Sequence, residues 1–323
     1  MVTVSLGIAT LALLIEALAG YPRALLERLG HPVMWMGALL GRLESRWNRP
    51  GDSPGQRRRL GSAALLVLLT VTLLATLPLT LLLRALGPAG WLLEALLAST
   101  LLAARSLHEH VAAVETALQR DGLEAGHAAL ARIVGRDTAG LDEAQVRRAA
   151  IESLAENLSD GVIAPLLFAC LFGLPGIAAY KAANTADSMI GHRNERYVDF
   201  GRSAARFDDL LNLLPARLTA LLLACAAPSR LATALRCAWR FAALHRSPNA
   251  GWPEAAMAGA LGLRLSGPRR YGGVLHAEPF VNPQGRDASS EDARRALGLM
   301  VRGCALAGAL ALACLAALLA LRG

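Results

Sequence analysis

Acids, amides and arginines recur at helical spacing between Ala150 and Leu218, in IESLAENLSDGVIAP and again in YKAANTADSMIGHRNERYVDFGRSAARFDDLLNLLPARL. Glu152, Glu156 and Asp160 stand four apart and share one slowly drifting helix face, with Ser153 and Asn157 beside them. Like charges at that spacing repel, so they need solvent, a cation or a metal among them. Taken alone, the three fit a solvated face leading into Gly161 as well as a functional one, but the face runs straight into an apolar segment, which counts against the former. Asn184 and Asp187 are one helical turn apart, with Ser188 adjacent. Such hard oxygen donors suit Mg²⁺, which keeps several waters and takes one or two carboxylates plus substrate phosphates. His192-Arg193-Asn194-Glu195-Arg196 follow Gly191 and offer guanidinium forks for phosphate or carboxylate. Asp208 and Asp209, with Asn212, form a further acidic turn before an apolar segment; alone it reads as a capping and salt-bridge arrangement. Lys181 is the only lysine among 33 basic residues. Three such clusters in one stretch read together as a polar cavity at a membrane face, because ionisable groups beside membrane segments are functional candidates by default.

The elements that must hold these groups are apolar. Of 323 residues, 54% are hydrophobic and only 5% aromatic, so apolar faces are built mainly from Leu and Ala. The mean hydropathy of +0.40 points to several membrane segments. The net charge of +8 comes from arginines spread among loops between apolar runs, and no nucleic-acid-binding motif is present, which argues against a nucleic-acid partner. Cys170, Cys225, Cys237, Cys304 and Cys314 are odd in number and contain no C-x-x-C pair, so neither a disulfide framework nor a zinc site is expected.

A membrane span needs about 20 apolar residues. Val2–Ala19 reads as a retained first membrane helix, since no positive charge precedes Arg23 and Glu16 interrupts the run. Ser62–Leu83 has no charge at all; the turn Gly87-Pro88-Ala89-Gly90 then leads into Trp91–Ala104, which contains Glu94. Gly303–Leu321 is a further candidate. Val162–Tyr180 is broken by Pro165, Gly173, Pro175 and Gly176, and Leu210–Ala227 contains Pro215 and Arg217. Irregular or charged membrane segments are tolerated where they line a protein-enclosed cavity. Loops 20–61 and 105–161 are rich in arginine, which places both in the cytoplasm and the N-terminus outside. Keeping 152–160 and 181–209 on one face then requires a broken or re-entrant 162–180. The expectation is an all-α, polytopic integral membrane protein with roughly four to six membrane segments, some broken or re-entrant. It forms a single membrane domain over 1–323, with cytoplasmic polar regions at 105–161 and 229–298 and no convincing strand alternation.

Outside the island, His31 in HPVMWMG reads as structural. Pro253 and Glu254 suit the first turn of an apolar helix, with Glu254 serving its dipole. Tyr271-Gly272-Gly273 is a turn that could approach a ligand. G-x-x-x-x-G-K-[ST], G-x-G-x-x-G after a strand, H-E-x-x-H and G-x-S-x-G are all missing, so ATP, if used, is not held by a P-loop.

The strings HPVMWMG, ESLAENLSDGVIAPL, YKAANTADSMIGHRNERYVDFGRSAARFDDLLNLLPARLTALL, SPNAGWPEAAMAGALGLRL and YGG resemble the CobD/CbiB family of cobalamin-biosynthesis membrane proteins, over most of the chain. The resemblance implies an adenosylcobinamide-phosphate synthase of the bacterial inner membrane, with its active site at the cytoplasmic face. Such an enzyme joins (R)-1-amino-2-propanol, or its O-phosphate, by an amide bond to the f-propionate of the corrinoid adenosylcobyric acid. A carboxylate is a poor electrophile, so activation by ATP and Mg²⁺ as an acyl phosphate is implied, with charge neutralisation supplying most of the stabilisation. On that reading Glu156, Asp160, Asp187 and Asp208 are catalytic candidates, one of them a general base; Asp160, Asp187 and Asp208 are candidates to hold the metal. Lys181, Arg193, Arg196 and Arg206 would neutralise phosphate. Asn157, Asn184 and Asn194 would bind amide side chains of the corrin. The implied partners are the corrinoid, the lipid bilayer and other enzymes of cobalamin biosynthesis. Two alternatives stay open: an intramembrane Mg²⁺-dependent prenyltransferase, whose Asp-rich motifs Asn184-x-x-Asp187 and Asp208-Asp209-x-x-Asn212 distantly resemble, and a non-catalytic membrane scaffold for corrinoid enzymes.

Overall fold

A computed structural model describes residues 2–21, 27–28 and 30–321. Along the chain run helices α1 (Val2–Ala19), α2 (Pro32–Trp47), α3 (Pro54–Ala85), α4 (Pro88–Ser99), α5 (Ala104–Arg120), α6 (Leu123–Leu130) and α7 (Glu143–Leu158). A π-helical turn, Ser159–Ile163, joins α7 to α8 (Ala164–Ile190), which is followed by α9 (Arg202–Leu211), α10 (Leu213–Cys225), α11 (Leu231–Phe241) and α12 (Gly251–Leu261). Four short strands follow, β1 (Leu265–Ser266), β2 (Arg269–Tyr271), β3 (Val274–His276) and β4 (Phe280–Val281), and α13 (Ser290–Ala320) closes the described chain. Backbone contacts divide the protein into two compact units: residues 1–103, 164–212 and 310–323 form the first, and 104–163 with 213–309 the second.

Five helices among the described residues are long and apolar enough to cross a membrane, or six if the bent pair Leu213–Cys225 and Pro228–Leu244 counts as one span. The expected spans Val2–Ala19, Ser62–Leu83, Trp91–Ala104 and Val162–Tyr180 lie within four of these stretches, and Gly303–Leu321 overlaps the fifth, Ser290–Ala320. The face of α3 leaves Leu66 and Leu74 66% and 68% exposed. In water such a row of leucines would be a liability. Against lipid it is the expected solvent-facing surface, and a helix satisfies its own backbone there. The chain is an all-α polytopic membrane protein.

In the first unit α8 packs against α1, α3 and α4. Its alanines Ala182 and Ala186, with Ile190, meet Leu40, Leu65, Leu68 and Phe200 in a closed apolar core. The break anticipated from Gly173 and Pro175 is present: Gly173 takes φ 69°, which a residue with a Cβ adopts only under strain. The amide freed by the break, that of Leu174, donates to Glu94 Oε1 at 3.3 Å. Arg84 forks the same carboxylate through Nε and Nη2, both at 2.9 Å, and Nη2 also donates to Ser5 Oγ at 2.9 Å. A Cβ on Gly173 would lie 2.4 Å from Arg84 Nη2, so only glycine leaves room for the fork. Glu94, which interrupts the apolar run in the sequence, thus has a partner ten residues earlier on a different helix, and its side chain is wholly buried.

In the second unit α5 packs on α6 and α7, and α10, α11 and α12 pack on one another. A capping box opens α7: Asp142 accepts from Gln145 N, and the Gln145 side chain accepts from Asp142 N. Two antiparallel pairs were not legible as strands: β1 pairs with β4, and β2 with β3 across Gly272-Gly273. Strands of two or three residues are too short to show alternation. The Tyr271-Gly272-Gly273 turn is the tip of the second hairpin.

Removing one member of a buried pair strands the other charge, at a cost of about 3–5 kcal/mol. Glu94→Ala should therefore lower the unfolding midpoint of detergent-solubilised protein sharply, while Glu94→Gln, which keeps an acceptor for Leu174 N, should cost less. Equal midpoints for Glu94→Ala and wild type would remove the pair from the account of the break.

Candidate functional site

The last turns of α8 carry Tyr180, Lys181, Asn184 and Asp187, and α9 with its C-cap carries Asp208, Asp209 and Asn212, all in the first unit. Tyr180 is buried and stacks on Phe168 with ring centroids 5.1 Å apart. Its hydroxyl donates to Asn212 Oδ1 at 2.8 Å. Asn212 Nδ2 in turn donates to Asp208 Oδ2 at 2.9 Å, and Asn184 Nδ2 donates to Asp208 Oδ1 at 3.3 Å. A relay of neutral donors therefore holds one carboxylate from both sides. Asp208 is 7% exposed. Burial pushes its carboxyl above the ordinary range; the two amides oppose the shift, the charge of Asp209 adds to it, and Lys181 opposes it. Burial also raises Asp209, against the pull of Arg193.

Lys181 and Asp187 are half-buried on α8. His31 lies within electrostatic reach of Lys181; burial foremost, and that positive charge last, hold its imidazole below the usual range against a backbone hydrogen bond at Thr100. Its Nδ1 accepts from Val33 N at 3.2 Å, capping α2, so the structural reading of His31 holds. The turn after α8 is exposed, and two of its residues have local work. Asn194 Oδ1 accepts from Tyr197 N at 3.0 Å, and Arg196 forks Glu44 through two 2.9 Å bonds. Arg193 and Arg206 are exposed.

Glu152, Glu156, Asn157 and Asp160 belong to the second unit. Glu152 is not on a solvated face. It is buried, accepting from Arg136 Nη2 at 2.9 Å and from Ser266 N at 2.7 Å, with Arg269 Nη2 3.2 Å away. Glu254 is 1% exposed, accepts from Ser266 Oγ at 3.2 Å and lies 3.6 Å from His245 Nε2. It does more than serve a helix dipole. Burial, with the charges of Glu152 and Glu156, raises its pKa well above the ordinary range and so favours the neutral acid, against the opposing pull of Arg269 and the Ser266 hydrogen bond. Burial works against the Arg269 charge, but Glu152 foremost, with Glu278, outweighs it and holds that guanidinium firmly protonated. His245 is pushed down, chiefly by burial. Glu156 is half-buried; Asn157 is exposed and donates to Ser153 O at 2.9 Å. Asp160 sits in the π-helical turn, a feature frequent at functional sites.

The geometry thus joins Asn184 to Asp208, with Lys181 in electrostatic reach of that carboxylate, and in the second unit Glu156 lies in electrostatic reach of Glu254 and His245. Arg136, His245, Glu254 and Arg269 are participants that periodicity could not find, since more than a hundred residues separate Glu152 from Ser266 and from Arg269 in the chain. No three His, Cys, Asp or Glu side chains among the described residues are grouped so as to hold a metal ion. Asp187 and Asp208 are carboxylates, the donor type through which Mg²⁺ carried in on a phosphate would be met.

A carboxyl whose folded pKa is raised contributes stability below its unfolded pKa and loses it as pH rises through the folded value. Wild-type protein should therefore lose stability relative to Asp208→Asn as pH rises from the ordinary carboxylate range towards neutrality. Thermal unfolding of both across that range checks it; a difference that does not change with pH removes the raised pKa.

Residues 9–300 match the family model described as CobD/Cbib protein. A Rhodobacter capsulatus protein named cobalamin biosynthesis protein CobD is 51% identical over 294 residues, covering 90% of this chain and 91% of its own. Proteins of the same name from a Sinorhizobium species and from Brucella suis are each 47% identical, covering 95% and 92% of this chain and 97% and 92% of their own. No solved structure matches. The chain belongs to the CobD/Cbib family of cobalamin biosynthesis proteins.

Proposed function

We propose that this protein forms the amide bond between the f-propionate of adenosylcobyric acid and (R)-1-amino-2-propanol or its O-phosphate, yielding adenosylcobinamide or its phosphate. The observation that carries the reading is Asp208: a buried carboxylate of raised pKa, held by two amides and set near the only lysine. The attacking amine must shed a proton, and a base is most effective when its pKa approaches the working pH. Burial moves Asp208 in that direction.

ATP with Mg²⁺ would supply activation of the carboxylate, whose oxygen then leaves on phosphate; Asp187 is the residue suited to hold the cation, which leaves Asp208 free to act as the base. Asp208 takes the proton from the ammonium group, the freed lone pair attacks the acyl carbon, and the C–O bond breaks. Asn184 and Asn212 keep Asp208 oriented throughout, and Tyr180 fixes Asn212. Lys181 and Arg193 neutralise the phosphate that departs, a role that needs position and charge more than covalent help. Arg196, engaged with Glu44, and Asn194, engaged in its own turn, are weaker candidates for ligand contact than Lys181 and Asn184. The site faces the cytoplasm, as the arginine-rich loops imply.

The test is purified protein in detergent with adenosylcobyric acid, each amine donor and ATP–Mg²⁺, read by product mass. Amide product is expected with at least one donor, and Asp208→Asn should lower its rate by about a hundredfold or more. Product from no combination would favour a non-catalytic scaffold. Full activity in a folded Asp187→Asn protein would take the cation from that residue.

A further inference from the structure

A pocket of about 470 Å³ opens in the second unit, between the loop after α6 and the β2–β3 hairpin. Arg136, Arg148, Arg269 and Arg270 line it, and Asp137 is the only acid in the lining. The acids that neutralise these arginines stand elsewhere: Glu152 meets Arg136 and Arg269, Glu278 meets Arg269, and Asp287 meets Arg148. The lining thus presents guanidinium groups, with the acids that pair with them outside it.

Asp137 itself is spent on architecture. Its carboxylate accepts from Gly272 N at 3.2 Å and Gly273 N at 2.7 Å, and its own amide donates to Arg270 O at 3.0 Å. These bonds fasten the loop to the hairpin, so the two walls of the pocket are fixed to each other.

We infer that this pocket binds the phosphoryl group of a small phosphorylated ligand. Guanidinium forks match phosphate oxygens in pairs, and several arginines facing one acid suit a polyanion better than a single carboxylate. The volume exceeds that of a bare phosphate and lies in the range of small-molecule sites, so the phosphate is one end of a larger molecule. Two sources share this chemistry: a nucleoside triphosphate and a phosphorylated amino alcohol. That choice of probes rests on the amide-forming reading; the pocket itself does not.

Equilibrium dialysis of detergent-purified full-length protein against ATP, aminopropanol O-phosphate and inorganic phosphate tests it. At least one of the two esters should bind more tightly than inorganic phosphate. Arg270 is exposed, and it is the backbone carbonyl that bonds to Asp137 N, so Arg270→Glu should fold. It should weaken the ester by about tenfold or more, with Arg270→Lys recovering part of the loss. Arg148→Gln should weaken it as well. Which ester responds identifies the source. Binding unchanged in both Arg270→Glu and Arg148→Gln, or no ester bound above inorganic phosphate, overturns the inference. Amide synthesis that fails while ester binding follows these variants counts against the proposed reaction and leaves the pocket standing.

Discussion

Charge is expensive inside an apolar chain, and this protein places several ionisable groups where little water reaches them. The Arg84–Glu94 pair shows how the cost is met and what it makes possible. The carboxylate neutralises a guanidinium and at the same time caps the backbone freed where α8 breaks at Gly173. A helix broken within an apolar segment would otherwise carry an orphan donor costing several kcal/mol. The second half of α8, which follows that break, is the part that carries Tyr180, Lys181, Asn184 and Asp187. Buried ion pairs seldom add much stability over a well-packed apolar substitute. Here the pair fixes a backbone conformation that an apolar substitute could not cap.

The same economy distinguishes the residues that are fully neutralised from those that are not. Glu152 has two arginines and a backbone amide, and Glu44 has Arg196 and Asn48. Asp208 is different: its hydrogen-bond partners among the described residues are neutral amides, and Lys181 acts on it electrostatically. Amides orient a carboxylate without pinning it as an anion, and that leaves it able to change protonation state. Glu254, driven towards the neutral acid by burial and by Glu152, shows the same property in the second unit. Groups of this kind are where proton transfer is to be sought.

Much of the fold was readable because hydropathy and breakers act locally. The charge-free run Ser62–Leu83 and the run Gly303–Leu321 are helical, and Gly173 with Pro175 marks a real break. The extension of α3 back to Pro54 was not readable, since Arg57-Arg58-Arg59 resemble a loop; Ser53 caps that end and Asp199 holds Arg58 at 2.7 Å. Of the site, the Asn184 and Asp208 turns were legible as separate acidic-amide clusters, and the hydrogen bond that joins them came from the structure. The partners of Glu152 did not, because Arg136, Ser266 and Arg269 reach it through tertiary structure, which leaves no periodic trace. Glu254 was undervalued for a related reason: at a helix start an acid has a sufficient local explanation, and only its complete burial reveals another.

The proposed reaction makes one demand that no scaffold or prenyl-transfer chemistry shares: the oxygen lost from the corrin carboxylate must leave on phosphate. Adenosylcobyric acid carrying oxygen-18 in the f-carboxylate, incubated with the purified protein, the amine and ATP–Mg²⁺, reads it directly. The prediction is one labelled oxygen in inorganic phosphate for each amide formed. Amide formation with the label absent from inorganic phosphate would contradict it.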